Sequence, residues 1–305
     1  MFANFQKIFH IIIGVMSVFK IFRFRQLAII SVFLCNIMLM GACLNAVSPY
    51  ITVMSQPHIN VPVIMYHQVY KSARNCGDYI ISLSTLREDF EYMRKNNITP
   101  VSFAELYNYV ENGAALPQNP VVITFDDGEK SFLTKVVPLL EEYSYPANVN
   151  VIGSLVEMYT QNGETNDSYA YLSESDIKTL NENPLVEIGC HTYNLHSLTS
   201  RRGVAQLYGE SDEKYCDVIK NDIEKFNELF IRLTGKAPTI FAYPYGIKNK
   251  ACDHIIKNNG FTVTLTCREA VNTISPGGTL FDLGRFNRPH GISTAKFFDK
   301  IFNSI

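Results

Sequence analysis

The run Val121-Val122-Ile123-Thr124-Phe125-Asp126-Asp127-Gly128 decides how this chain is read. β-Favouring residues lead straight into two adjacent carboxylates and a glycine. A strand of that composition, apolar without alternation, is the kind buried on both faces of a parallel sheet. Two neighbouring carboxylates resist ionising together. At the end of a buried strand such a pair calls for a metal ion or a transferable proton to relieve the conflict. A solvated Asp-Asp-Gly turn would use the same residue types, and the rest of the chain decides between the two.

Upstream, Val61-Pro62-Val63-Ile64-Met65-Tyr66-His67 reads as a strand ending at a histidine. Ser84 caps a helix with Leu86, Phe90 and Met93 on one face. Ser102 and Glu105 make a capping box for a second helix, which stops at Gly113. Downstream, a helix over about 129–143 is followed by a strand at 147–152, a polar loop at 153–171 and a short helix capped by Ser173. Val186 to Cys190 is a strand ending at His191, and an amphipathic helix spans 211–234 before Gly235. Residues 239–243 form a strand ending in Pro244-Tyr245-Gly246; a helix then runs to Asn259, strand 261–266 follows, and a last strand lies around 283–285. Strand and helix alternate throughout, which predicts an α/β fold with a parallel sheet, open or closed into a barrel. Ligands in such folds bind at the carboxyl ends of the strands. His67, Asp126-Asp127, His191 and Pro244-Tyr245 all fall just past strand ends, so four strands deliver polar groups to one rim.

His191 and His196 are five residues apart. On a helix they would diverge; leaving a strand through a tight turn, they can converge. Two imidazoles and one carboxylate suit a divalent transition metal with positions left for water and substrate. Asp127 is the natural third ligand and Asp126 the natural base. A His-x4-His pair by itself is weak evidence; one strand-helix unit after Asp-Asp-Gly it is much more specific.

The chain has 305 residues and a net charge of −2, which offers no footprint for a nucleic acid. Leu27 to Val47 is uncharged and long enough to span a bilayer, with Lys20, Arg23 and Arg25 just before it. That flank predicts residues 1–26 in the cytoplasm, 27–47 as a transmembrane anchor or signal segment, 48–60 as a linker and 61–305 as an exported domain. The protein is then a single-pass membrane protein with its catalytic domain extracytoplasmic, or secreted if a peptidase acts near Ala42 or Ala46; lipidation at Cys43 is the other alternative. Five cysteines lie beyond the apolar segment without a Cys-x-x-Cys. They read as small buried apolar residues, with a Cys216–Cys252 bridge left open.

Thr124-Phe125-Asp126-Asp127-Gly128, His191-Thr192 with His196, and Tyr243-Pro244-Tyr245-Gly246 together resemble the polysaccharide deacetylases, the NodB-homology or carbohydrate esterase family 4 domain. The resemblance spans about residues 60–305. Val63-Ile64-Met65-Tyr66-His67-Gln68-Val69 resembles its poly-N-acetylglucosamine deacetylase branch. What this implies is a distorted (β/α) barrel with a metal at its rim, usually zinc, with cobalt or nickel as alternatives. Asp127, His191 and His196 would bind it, Asp126 would take a proton from the attacking water, and the Tyr245 N–H would hold the oxyanion. The general acid would be His67, with His290 as its rival. The family's usual arginine before the third motif is replaced by Ala242, and Arg285 or Arg288 are the candidates to stand in for it. Tyr66, Tyr243, Tyr193, Asn194 and the tyrosines of 159–171 are candidate sugar contacts. The implied substrate is an N-acetylglucosamine polysaccharide: exopolysaccharide, peptidoglycan or chitin-like. A glycan synthase in the same membrane is a plausible partner. An O-acetyl glycan or xylan esterase and a silent glycan-binding domain are the competing functions.

Overall fold

Strands and helices alternate along the residues that the computed structural model describes, 58–199 and 201–303. In chain order they are β1 (Ile59–Val61), β2 (Val63–Tyr66), β3 (Gln68–Tyr70), β4 (Ile80–Ser82), α1 (Leu83–Lys95), β5 (Thr99–Pro100), α2 (Phe103–Asn112) and β6 (Pro120–Phe125). A π-helical turn, Phe132–Val136, leads into α3 (Val137–Tyr143). Then come β7 (Ala147–Val151), α4 (Gly153–Asn162), α5 (Glu174–Glu182), β8 (Val186–Cys190), α6 (Asp212–Thr234), β9 (Ile240–Ala242) and α7 (Lys250–Asn258). The chain ends with β10 (Val263–Leu265), β11 (Asn272–Ile274), β12 (Leu280–Leu283), β13 (Phe286–Asn287) and α8 (Thr294–Phe302).

The main sheet runs β12-β10-β9-β8-β7-β6-β2-β13, with β5 also on β6. Every pairing in it is parallel. Its end strands β12 and β13 are separated in sequence by Gly284 and Arg285 alone. Laid flat at ~4.8 Å per strand, the ends of this path would lie on the order of 34 Å apart. Three chain steps span at most about 11 Å. The sheet therefore curls until its ends meet, giving an incomplete parallel barrel of the (β/α) type with a seam at Gly284-Arg285.

Period-two alternation divides the apolar residues into two cores. Ile64, Tyr66, Ile123, Phe125 and Phe241 pack outward with Leu86, Leu140, Phe226, Ile256 and Phe298 of the helices. Val63, Val122, Ile240 and Ala242 pack with Phe103, Leu106, Tyr109 and Val110 of α2, which plug one end of the barrel. Glu187 on β8 accepts from the Phe103 and Ala104 N–H groups at 2.8 Å each, fixing the plug's N-terminus.

Several expectations need correction. Residues 153–162 are helical rather than loop: α4 starts at Gly153 behind Ile152, with no capping side chain to announce it. Helix α1 is capped by Ser82, not Ser84. The strand expected at 61–67 is interrupted at Pro62, which cannot donate to a ladder, and β1 begins inside the stretch read as linker. Cys216 and Cys252 are free thiols, not a disulfide. Tyr66 and Tyr243 are buried, so neither meets a sugar. The Leu27–Val47 segment lies outside the described residues; among those described, no helix is long and apolar enough to cross a membrane.

Candidate active site

Counting by two along the strands explains why the polar motif residues meet. Val122 and Thr124 lead to Asp126; Glu187 and Gly189 lead to His191; Val63 and Met65 lead to His67. Each is the next inward position after its strand ends. Asp126 and His67 open onto one cleft of about 640 Å³, together with Asp127, His196, Tyr245, Tyr79, Arg202 and Glu269, and His191 lies buried behind Asp127.

Asp126 is buried, and Arg285 reaches it from the seam. The guanidinium grips both oxygens, Nη1 to Oδ1 at 2.8 Å and Nη2 to Oδ2 at 2.7 Å. Asn150 adds a bond to Oδ1 at 2.8 Å. Arg285 is itself fully buried and donates Nε to the Thr266 carbonyl at 2.9 Å. Burial opposes ionisation of Asp126, but Arg285 and then His191 outweigh it, holding the carboxyl well below the usual range. A carboxylate has about four lone-pair positions. Three are taken here, leaving one on Oδ2. Of the two arginines considered for the place left by Ala242, Arg285 is the one that reaches Asp126. Arg288 instead joins buried Asp89, with Nε to Oδ2 at 2.8 Å, away from Asp126.

Asp127 takes a left-handed backbone, φ 71°, which turns its side chain away from that of Asp126 and toward the histidines. Its Oδ1 lies 3.5 Å from His191 Nε2 and 3.2 Å from His196 Nε2. Among the described residues these three form the cluster whose ligand atoms all fall within 4.8 Å of one another. His191 Nδ1 lies 2.8 Å from the Ala242 carbonyl, which can only accept. That fixes the proton on Nδ1 and leaves the Nε2 lone pair facing Asp127. Burial lowers the pKa of both histidines, keeping them neutral as ligation requires. His196 Nδ1 lies 3.2 Å from the Tyr245 hydroxyl. One carboxylate and two neutral imidazoles at this spacing fit a tetrahedral divalent ion with an open position.

His67 lines the cleft, edge-on to Tyr79 at 4.8 Å between ring centroids, and its Nδ1 is buried with no partner. His290 does not line the cleft. It sits in the loop held by Arg288, which donates to the Pro289 and Ile292 carbonyls. Tyr245 has φ 59°, and its N–H stays out of the turn's own bonds, which run from Gly246 to Tyr243 and from Ile247 to Pro244. Tyr193 turns away to Glu157, Oη to Oε2 at 2.6 Å. No local sequence feature marks Asn150, Tyr79 or Arg202, although the inward register of β7 marks Asn150 once the strand is known.

Residues 113–264 match the polysaccharide deacetylase family. Over 238 residues the chain is 27% identical to the poly-beta-1,6-N-acetyl-D-glucosamine N-deacetylase of Escherichia coli K12, covering 72% of this chain and 35% of that protein. It therefore spans about a third of that relative's length. It is 25% identical over 205 residues to the protein of the same name from Staphylococcus aureus, covering 67% of each. The solved structure of IcaB from Ammonifex degensii matches with a TM-score of 0.63 at 27% identity, over 76% of this chain and 92% of that one. With these matches, and with the motif residues gathered at one rim of a parallel barrel, residues 113–264 are identified as a polysaccharide deacetylase domain.

Proposed function

We propose that the chain hydrolyses the N-acetyl groups of a polysaccharide containing N-acetylglucosamine, giving acetate and a glycan amine. The observation that carries this is the buried Asp126–Arg285 pair beside the Asp127, His191 and His196 cluster, with Asp126, Asp127 and His196 facing one cleft. The names of the curated relatives point to the same chemistry. Asp127, His191 and His196 would hold a divalent ion, zinc first among the candidates. When bound, such an ion supplies Lewis acidity, making water acidic near neutral pH and polarising a carbonyl. Asp126, ionised and aimed by Arg285 and Asn150, offers its remaining Oδ2 lone pair to the proton that the attacking water gives up. The Tyr245 N–H would donate to the oxygen that gains charge. His67 is the group on the cleft wall able to protonate the departing amine. Tyr79 and Leu198 are exposed and offer apolar faces to a sugar ring.

Lys20, Arg23 and Arg25 before the apolar Leu27–Val47 segment support a cell-membrane anchor with the 61–305 domain outside the cytoplasmic membrane, beside a glycan synthase. Protease added to intact spheroplasts should then digest the domain. The activity is tested by acetate release from N-acetylglucosamine oligomers by the full chain, with and without added zinc, beside Asp126→Asn. Metal-dependent release lost in the variant is expected. No release from oligomers, with release from O-acetylated xylan, would replace this reading with the esterase.

A further inference from the structure

The turn His191-Thr192-Tyr193-Asn194-Leu195-His196 carries two of the three proposed ligands, yet it does little to hold itself. Thr192 has φ 71°, an unfavourable conformation for a β-branched residue. Within the turn, the Leu195 N–H bonds only to Thr192 Oγ1, at 3.1 Å. The other anchors come from outside. At the start of α4, the Gly153 and Ser154 N–H groups donate to the Thr192 and Tyr193 carbonyls at 3.1 and 2.8 Å. Gly153 permits this approach, since a Cβ there would stand 2.8 Å from the Tyr193 ring. From α6, Asp222 accepts the Tyr193 N–H on Oδ2 at 2.7 Å and the Asn194 N–H on Oδ1 at 2.8 Å.

We infer that Asp222 is the positioning residue for the metal-ligand turn: its carboxylate clamps two successive N–H groups, setting the separation of His191 and His196 and so the affinity of the site. This rests on the proposed metal site. Three features support it. Asp222 is only 7% exposed on a helix otherwise packed by apolar side chains. Among the described residues no Lys or Arg forms an ion pair with it, so the two N–H groups are its direct compensation for burial. Burial pushes its carboxyl up to about 6 even against those two donors, with Lys225 adding only a more distant pull. A buried carboxylate is a costly way to pack a helix; as a two-toothed acceptor for a strained turn it has a use that an apolar residue lacks.

The test uses the full chain stripped with chelator and titrated with Zn²⁺ by calorimetry and with Co²⁺ by visible absorbance. Wild type, Asp222→Asn, Asp222→Glu and His196→Ala are compared below their melting temperatures. The Asn side chain matches Asp in shape but meets one of the two N–H groups with its own NH₂. Its affinity should fall about 10- to 100-fold, the usual effect of losing a group that orients ligands, with an altered Co²⁺ band. Glu keeps both acceptor oxygens and should recover part of the loss. Wild-type affinity and an unchanged Co²⁺ spectrum in Asp222→Asn would overturn the inference, and so would a Glu variant no better than Asn. Failure of the wild type to bind either metal would instead sink the metal site itself, with His196→Ala then indistinguishable from wild type.

Discussion

Asp126 keeps its charge inside a barrel because Arg285 meets both of its oxygens there. Its depressed pKa adds stability that is fully present above the ordinary value of 3.8 and lost only as pH falls below it. The wild-type rate profile should therefore show no limb from Asp126 above that pH. Arg285→Met removes the compensation and leaves burial unopposed. Equilibrium denaturation should then show a loss of about 3–5 kcal/mol, the cost of orphaning one partner of a buried pair. The Asp126 carboxyl should rise, and an acid limb should enter the pH profile of acetate release. A variant as stable as wild type with an unmoved profile would show that Arg285 neither charges nor aims the base. The two rival histidines separate just as directly. His67→Ala should slow acetate release by roughly 10²–10⁴, the usual contribution of a general acid, with substrate binding little changed. His290, outside the cleft, should tolerate the same change. Equal losses in both, or a loss only in His290→Ala, would reassign the acid.

At the scale of elements, three adjacent strands cooperate to present one carboxylate. Asn150 on β7 donates to Asp126 beyond β6, and Gly189 on β8 leaves Asn150 its room. A Cβ at position 189 would stand 2.2 Å from Asn150 Oδ1, a distance no pair of atoms tolerates. Gly189→Ala should therefore push Asn150 off Asp126, costing about 1–3 kcal/mol of stability as an overpacked core does, and lower kcat with it. A fully active Gly189→Ala enzyme would show that the Asn150 bond is dispensable. These strands were readable in the sequence because apolar runs ending in Asp, His or Pro-Tyr-Gly mark both the strand and its carboxyl end. Elements without such a signature were not. β3 and β4 are three residues each, too short for a period to show. Helix α4 lacks a capping side chain, and Ser154 and Glu157 made its polar face resemble a loop. Nothing in the sequence distinguishes Asp222 from the other acids of the long amphipathic helix. Arg285 was visible only as one of two candidates, since 159 residues separate it from Asp126 and nothing local says which arginine crosses the seam.

For the whole molecule, the site joins the ends of strands that do not pair with each other in the sheet. Asp127 follows β6, while His191 and His196 follow β8, with β7 between them. An ion held by all three would tie these strand ends together, and so would bind the folded chain and not the unfolded one. Stability must then rise with free metal as RT ln(1 + [M]/Kd), about 2.7 kcal/mol at a hundredfold excess over Kd. For a domain of this size each kcal/mol moves Tm by roughly 2–4 °C, so saturating zinc should raise the melting temperature by about 5–11 °C and chelator should reverse the gain. His196→Ala and Asp127→Asn each break the ligand set and should lose most of that increment while melting near the metal-free wild type. Zinc stabilisation that survives both substitutions would place the ion elsewhere on the chain. A wild type indifferent to zinc and cobalt would leave Asp127 and the two histidines as a hydrogen-bonded cluster, and the water would then have only Asp126 to activate it. That is a weak prospect for a carboxylate whose basicity Arg285 holds so low. The proposed base and the proposed three-ligand site thus depend on each other: a carboxylate held this low would deprotonate water near neutral pH only where an adjacent ion had already made that water acidic.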